Sequence, residues 1–261
     1  MKKTKITSLL LAAVLIFTGC SNQEDEKLKT DAAGTNSSAL EDQTLDIGIN
    51  ANFPPYEYYE GNDVVGIDVE IAKAVSQYLG YDIKFHEMEF GNLIAAIESG
   101  KIDGAISGIT VSGERQKSVN FSQPYTKSVQ LIIVKENSPI SKIDDLQNKK
   151  IGTQFGTTGD IYSKEDFGED NVQSFSNPQD AVLALVQGKV DAVILDKEPA
   201  LNFVNTNQDL KTLATEYAEE DFAIALNKNN EKLQKDVNTA LSSLTEDGTI
   251  EEIIDKYIPK K

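Results

Sequence analysis

The 261-residue sequence contains one cysteine, one histidine and one arginine, and each scarcity excludes some chemistry. A lone thiol, Cys20, cannot close an intramolecular disulfide. A lone imidazole, His86, leaves no Ser-His-Asp set unless that residue serves, and no Gly-x-Ser-x-Gly elbow is present. Without a second histidine or a spare cysteine, no zinc or other transition-metal site is expected, and no cofactor is expected either. Gly152 to Gly159 has some look of a phosphate loop but lacks the Gly-Lys-Ser/Thr ending. Long hydrophobic runs are also missing: Ile6 to Phe17, twelve residues, is too short to span a bilayer. Positive charge is scarce, with 25 Lys and Arg against 42 Asp and Glu and a net charge of -17. Nucleic acid and anionic surfaces are poor partners for such a field, although an acidic surface by itself names no ligand.

The short apolar run gains meaning from its flanks. Met1-Lys2-Lys3-Thr4-Lys5 is a positive leader, and Phe17-Thr18-Gly19-Cys20 ends the run on small residues ahead of the thiol. The segment resembles the lipobox of bacterial lipoproteins, with Phe17 where leucine is usual. That resemblance implies a signal peptide over 1–19, lipidation of Cys20 and a lipid anchor on the extracytoplasmic face of the cell membrane. Removal of Lys2, Lys3 and Lys5 leaves 22 basic against 42 acidic residues, a net charge of about -20. The polar stretch that completes 20–43 has too few apolar groups to fold and reads as a tether.

From Leu45 onward, short apolar runs alternate with amphipathic helices, which predicts an α/β fold with mainly parallel sheets. Helices are expected where Ile67, Ile71, Val75 and Tyr78 make a stripe ending at Gly80, and where Leu93, Ile94 and Ile97 make one ending at Gly100. Asn177-Pro178 supplies a cap and first position for a helix through Ala181, Leu185 and Val186. Two more are expected, through Leu233, Val237, Leu241 and Leu244 and through Ile250, Ile253, Ile254 and Tyr257. Strands are expected at 45–49, 83–85, 105–107, 130–134, 150–154, 192–195 and 222–226. One unit occurs twice: Ile97-Glu98-Ser99-Gly100-Lys101-Ile102-Asp103-Gly104-Ala105-Ile106 echoes Leu185-Val186-Gln187-Gly188-Lys189-Val190-Asp191-Ala192-Val193-Ile194. Two lobes of similar plan would place strand ends and helix N-termini across a cleft, where α/β sheets hold ligands.

The single arginine, Arg115, follows the glycine- and hydroxyl-rich stretch Ser107-Gly108-Ile109-Thr110-Val111-Ser112-Gly113-Glu114. A chain that uses lysine for every other long cation but keeps one planar fork here points to bidentate recognition of a carboxylate or phosphate.

Six motifs carry a wider resemblance: Phe53-Pro54-Pro55-Tyr56-Glu57, Gly66-Ile67-Asp68-Val69-Glu70-Ile71-Ala72, Asp103-Gly104-Ala105-Ile106-Ser107-Gly108-Ile109-Thr110, Glu114-Arg115, Val119-Asn120-Phe121-Ser122-Gln123-Pro124-Tyr125 and Gly156-Thr157-Thr158. In that order, from Leu45 to Pro259, the chain resembles the type II solute-binding proteins of polar amino-acid ABC transporters. The resemblance implies a two-lobed periplasmic-binding-protein-like fold joined by two crossover strands. Lobe 1 would be 44–130 plus 226–261 and lobe 2 131–225, with hinge strands near 130–134 and 221–226. It also implies a monomer that captures a free amino acid and delivers it to an ABC permease and its ATPase, with no reaction catalysed.

The matched motif positions imply roles. Arg115 would hold the ligand's carboxylate, with backbone N–H groups near Thr110, Thr157 and Thr158. Asp196, Gly108 and Thr110 would hold the ammonium, beside Ser107. Phe53 and Phe90 would sandwich the side chain, and Asn50 would read it. Asn50 is neutral where several relatives carry aspartate, so a neutral polar side chain is expected ahead of a cationic one. Glu57, Glu87 and Glu89 could each supply the missing charge. Asp68 and Glu70 are expected on an exposed first turn. The enzyme alternative, a secreted dehydratase-like lyase, would need a general acid in the cleft, whereas only Arg115 and Asp196 are expected to bring charge there. A kinase or channel sensor domain is not expected, since neither a membrane span nor a signalling domain appears before Lys261.

Overall fold

The computed structural model describes residues 44–258; the leader, Cys20 and the whole of the expected tether lie outside them. The chain begins with strands β1 (Thr44–Ile49), β2 (Asn52–Phe53), β3 (Glu57–Glu60) and β4 (Asp63–Val65), then helix α1 (Ile67–Leu79). Next come β5 (Asp82–Glu87), α2 (Leu93–Glu98), β6 (Gly104–Ala105), β7 (Val119–Phe121) and the long β8 (Thr126–Lys135). Beyond it lie β9 (Ile151–Gln154), α3 (Thr158–Phe167), β10 (Val172–Phe175), α4 (Pro178–Val186), β11 (Ala192–Asp196), α5 (Lys197–Thr206), β12 (Leu210–Thr212) and β13 (Ala218–Phe222). The chain then closes with β14 (Ala225–Asn227), α6 (Glu231–Glu246) and α7 (Thr249–Tyr257).

Two α/β lobes result, each built on its own sheet. The first sheet runs β5-β1-β6-β14-β7 and the second β10-β9-β11-β8-β12, with β13 also on β8. The expected parallel character holds for three strands in each, β5-β1-β6 and β10-β9-β11. The rest of each sheet is antiparallel, because the strands flanking the passages between lobes, β7, β8, β13 and β14, pair antiparallel. The passages lie at 122–125 and 223–224, not at 130–134: β8 pairs in the second sheet along its whole length, and the expected strand over 222–226 is split between β13 and β14. Residues 126–130 therefore belong with the second lobe and 225 with the first.

The repeated unit folds twice in the same way. Gly100 and Gly188 both have φ of 72°, the left-handed value that ends a helix cheaply only at glycine. Lys101 N–H bonds the Ala96 carbonyl at 2.9 Å and Lys189 N–H that of Ala184 at 2.9 Å. Asp103 accepts Asp46 N–H at 2.9 Å, as Asp191 accepts Lys150 N–H at 2.8 Å. Each aspartate thus ties the start of its strand to the neighbouring parallel strand.

The helix stripes bury Ile67, Ile71 and Val75 of α1 and Leu233, Val237, Leu241 and Leu244 of α6. Tyr78 and Val186 depart from expectation and face solvent, at 48% and 42% exposure, each in the last turn of its helix. Asn177 caps α4 by accepting Asp180 N–H at 2.8 Å, with Pro178 at the first position.

Candidate functional site

The ends of β1, β9 and β11, the loop after β6 and the N-terminus of α3 meet between the lobes. They form a cleft lined by Asn50, Phe53, Glu57, Phe90, Ser107, Gly108, Thr110, Arg115, Gln154, Thr157, Thr158 and Asp196. All ten residues singled out from the sequence are in this set. The cleft is drawn shut around about 10 Å³, roughly the room of one water molecule. Bonds cross it: Gln154 Nε2 donates to Asn50 Oδ1 at 3.0 Å, Arg115 Nη2 to the Gly156 carbonyl at 3.0 Å, and Gln179 Nε2 to the Asn52 carbonyl at 3.2 Å. Gly156, with φ of 81°, lies so close to Gly91 that a Cβ there would stand 2.9 Å from the Gly91 Cα. The lobes therefore touch backbone to backbone.

Arg115 is buried beneath this contact, with its guanidinium 5.4 Å from the centre of the Phe90 ring. Its Nη1 donates to the Thr110 carbonyl at 2.9 Å. Two of its five N–H donors are thus spent on carbonyls, and three remain for an anion. Burial pulls its pKa below the usual value, and the Glu220 carboxylate opposes that pull. Across the cleft, the Thr157 hydroxyl caps α3 by accepting Asp160 N–H at 3.2 Å and donates to the Gln154 carbonyl at 2.8 Å. Asp160 pins the loop, accepting from Thr153 at 2.7 Å, Gly156 N–H at 3.2 Å and Lys164 at 2.9 Å. Burial opposes its ionisation, but the hydrogen bonds from Ser174, Lys164 and Thr153 hold its pKa below the usual range. The first N–H groups of α3 lack helical partners and, with the helix dipole, favour an anion at that end.

The cleft lining holds one charged group more than the two expected there, Glu57 in addition to Arg115 and Asp196. Asp196 ends β11 and is buried with its Oδ1 unpartnered; its side chain makes no cap bond to α5, although it occupies the N-cap. Burial first and the Glu220 charge second push its pKa up, against a hydrogen bond from Ser128. Glu57, 1% exposed, accepts the Ser107 hydroxyl at 2.8 Å. Asp68 is fully buried rather than solvated, accepting Gly108 N–H at 2.7 Å and the Tyr125 hydroxyl at 2.8 Å. Burial raises the pKa values of Glu57 and Asp68, that of Asp68 to about 6. At Glu57 the neighbouring Asp68 charge adds to that rise, against the hydrogen bond from Ser107. The pair straps the loop carrying Ser107 and Gly108 to β3 and α1.

Other expectations divide. Asn50 donates to the Met88 carbonyl at 2.9 Å and accepts from Gln154, so both ends of its amide engage the protein. Phe53 stacks on Tyr56 at 5.9 Å between ring centres while still lining the cleft. Of the three glutamates held in reserve, Glu57 reaches the cleft, while Glu87 and Glu89 are exposed. Glu70 is half-buried and takes the Tyr257 hydroxyl and Lys256 at 2.5 Å each. His86 sits outside the cleft with its Nε2 2.5 Å from Asp46 Oδ1.

Sequence reasoning missed Gln154 and Glu220 and misread Asp68. The signal for Asp68 was present: it precedes Ala72 by four positions and Val75 by seven, which puts it on the buried stripe of α1. Gln154 and Glu220 sit next to Phe155 and Asp221 in runs with no periodicity to mark them.

The family model of bacterial extracellular solute-binding proteins, family 3, matches residues 45–260. The arginine-binding extracellular protein ArtP of Bacillus subtilis is 32% identical over 87% of this chain and 91% of its own length. The L-cystine-binding protein TcyJ of Escherichia coli is 31% identical over 82% of each. Among solved structures, the arginine-, lysine-, histidine-binding protein ArtJ of Geobacillus stearothermophilus superposes with a TM-score of 0.80 at 34% identity, covering 84% of this chain and 96% of that one.

Proposed function

Because the chain belongs to the bacterial extracellular solute-binding proteins of family 3, we propose that it captures a polar α-amino acid between its lobes and passes it to an ABC permease and its ATPase. The observation that carries this reading is the pair of buried opposite charges facing the cleft, Arg115 with three free donors and Asp196 with a free oxygen. Left alone, each is costly to bury; a zwitterion pairs with both. Carboxylate would go to Arg115 and the first N–H groups of α3, and ammonium to Asp196, the Gly108 carbonyl and Thr110. Phe53 and Phe90 would flank the side chain, with Ser107 beside the ammonium and the N–H groups of Thr157 and Thr158 turned to the carboxylate.

Glu57 changes the order of ligand classes. It lines the cleft with its Oε2 unpartnered, whereas Asn50 is committed to Met88 and Gln154. Arg115 is the only cation in the lining, which disfavours dicarboxylates. A donor-rich, cationic side chain of the arginine class therefore ranks ahead of a neutral polar one. ArtP and ArtJ, whose names specify arginine, support that order; TcyJ, named for cystine, supports the second class. Competition at fixed pH decides: arginine is expected to displace bound ligand at concentrations where glutamine and serine fail, and the reverse ranking refutes the assignment.

Glu57 also supplies the cleft with an acid, the group a lyase would need. Recovery of chemically unchanged ligand after prolonged incubation separates binding from catalysis, and any product would favour the enzyme. Anchoring through Cys20 is tested by labelling with a lipid precursor. Label is expected on the wild type and absent from Cys20→Ser; equal labelling refutes it.

A further inference from the structure

Glu220 has no part in the roles argued above. It lies on β13 two residues before the chain passes back to the first lobe, is 3% exposed, and pairs with no lysine or arginine in an ion pair among the described residues. What it holds is two hydroxyls. Its Oε2 accepts from Thr110 and, at 3.0 Å, from Thr158. Thr110 belongs to the first lobe and Thr158 to the second, and both line the cleft. The Thr158 oxygen also accepts from Gln130 Nε2 at 3.0 Å.

A hydroxyl carries one proton. When Glu220 takes the proton of each threonine, both oxygens can offer only lone pairs to the cleft. That polarity suits an ammonium, which has three donors and no acceptor, and the free Oδ1 of Asp196 stands in the same lining. The polarity would be wrong for a ligand group that accepts. The geometry points to Glu220 as a positioning residue that fixes both threonine hydroxyls as acceptors, one from each lobe, so that an α-ammonium completes the cleft only when the lobes have met. This rests on reading the cleft as an amino-acid site. Glu220 lies outside the cleft lining and acts through Thr110 and Thr158.

A double-mutant cycle tests the assignment. Calorimetric affinity for the amino acid that stabilises the wild type most is measured for Glu220→Leu, for Thr110→Val with Thr158→Val, and for all three changes together. Valine keeps threonine's shape and removes the proton that Glu220 orients. Glu220→Leu is expected to weaken binding at least tenfold in the wild type and less than threefold in the valine background. A similar loss in both backgrounds would make Glu220 a general support of the fold and overturn the assignment, as would no loss in the wild type. Glu220→Gln, which keeps an acceptor oxygen, runs alongside in case the leucine variant fails to melt cooperatively. Its smaller loss should likewise vanish in the valine background, and persistence there overturns the assignment. If the wild type binds no amino acid at all, the functional reading has failed rather than the role of Glu220.

Discussion

Asp68 carries a proton linkage that can be measured without any ligand. Burial lifts its pKa from the usual 3.8 to about 6, against bonds from Gly108 N–H and the Tyr125 hydroxyl. Between those pH values the folded protein keeps a proton that the unfolded chain has released. Stability contributed by this group is therefore greatest below about pH 4 and falls as pH rises toward 6, then stays flat. At about 1.4 kcal/mol per pKa unit the fall is about 3 kcal/mol at most. Melting curves from pH 3.5 to 7 should show Asp68→Asn with a shallower decline than the wild type between pH 4 and 6; parallel curves would contradict the linkage. Arg115 was legible because it is the one arginine in the sequence, and Asp196 through the motif position it shares with the solute-binding family. Asp68 was misread because an acid in a first helical turn is usually solvated, and Glu220 because one acid among Glu219, Glu220 and Asp221 carries no mark of its burial.

Among the elements, the glycine turn between β9 and α3 decides whether the lobes can meet. Gly156 combines a φ of 81° with a backbone neighbour, Gly91, where a Cβ would come within 2.9 Å. Gly156→Ala meets both obstacles, a left-handed conformation costing roughly 1–2 kcal/mol and a contact that only lobe separation relieves. Ligand affinity should fall about tenfold or more while the ligand-free melting temperature drops by a few degrees only. Unchanged affinity would mean that closure does not bring these backbones together. Gly91 is the more tolerant partner, because an added Cβ there meets first the Phe155 ring, 55% exposed and free to swing away. The helix-Gly-strand repeat was readable because left-handed helix stops demand glycine and buried strands demand apolar runs. The passages at 122–125 and 223–224 were not, since sequence periodicity shows where a strand is and not which sheet it joins.

At the scale of the molecule, two similar lobes share one polypeptide through two short passages, and the groups that face a ligand come from both. On the proposed reading the cleft is a zwitterion trap: Arg115 under the Gly156 carbonyl on one side, Asp196 at the end of β11 on the other, and hydroxyls between them. Two-state closure of this kind is driven only by what the ligand gains in the closed form over the open one. The loss of either charge should therefore be felt in affinity more than in folding. The measurement that bears most directly on this is isothermal titration of the most stabilising amino acid into wild type, Arg115→Lys and Asp196→Asn, each first shown to melt cooperatively. The account predicts strong heat with the wild type and a loss of about 2 kcal/mol or more in each variant, since a point cation cannot replace the fork and an amide cannot replace the counter-charge. Wild-type affinity in either variant would contradict it.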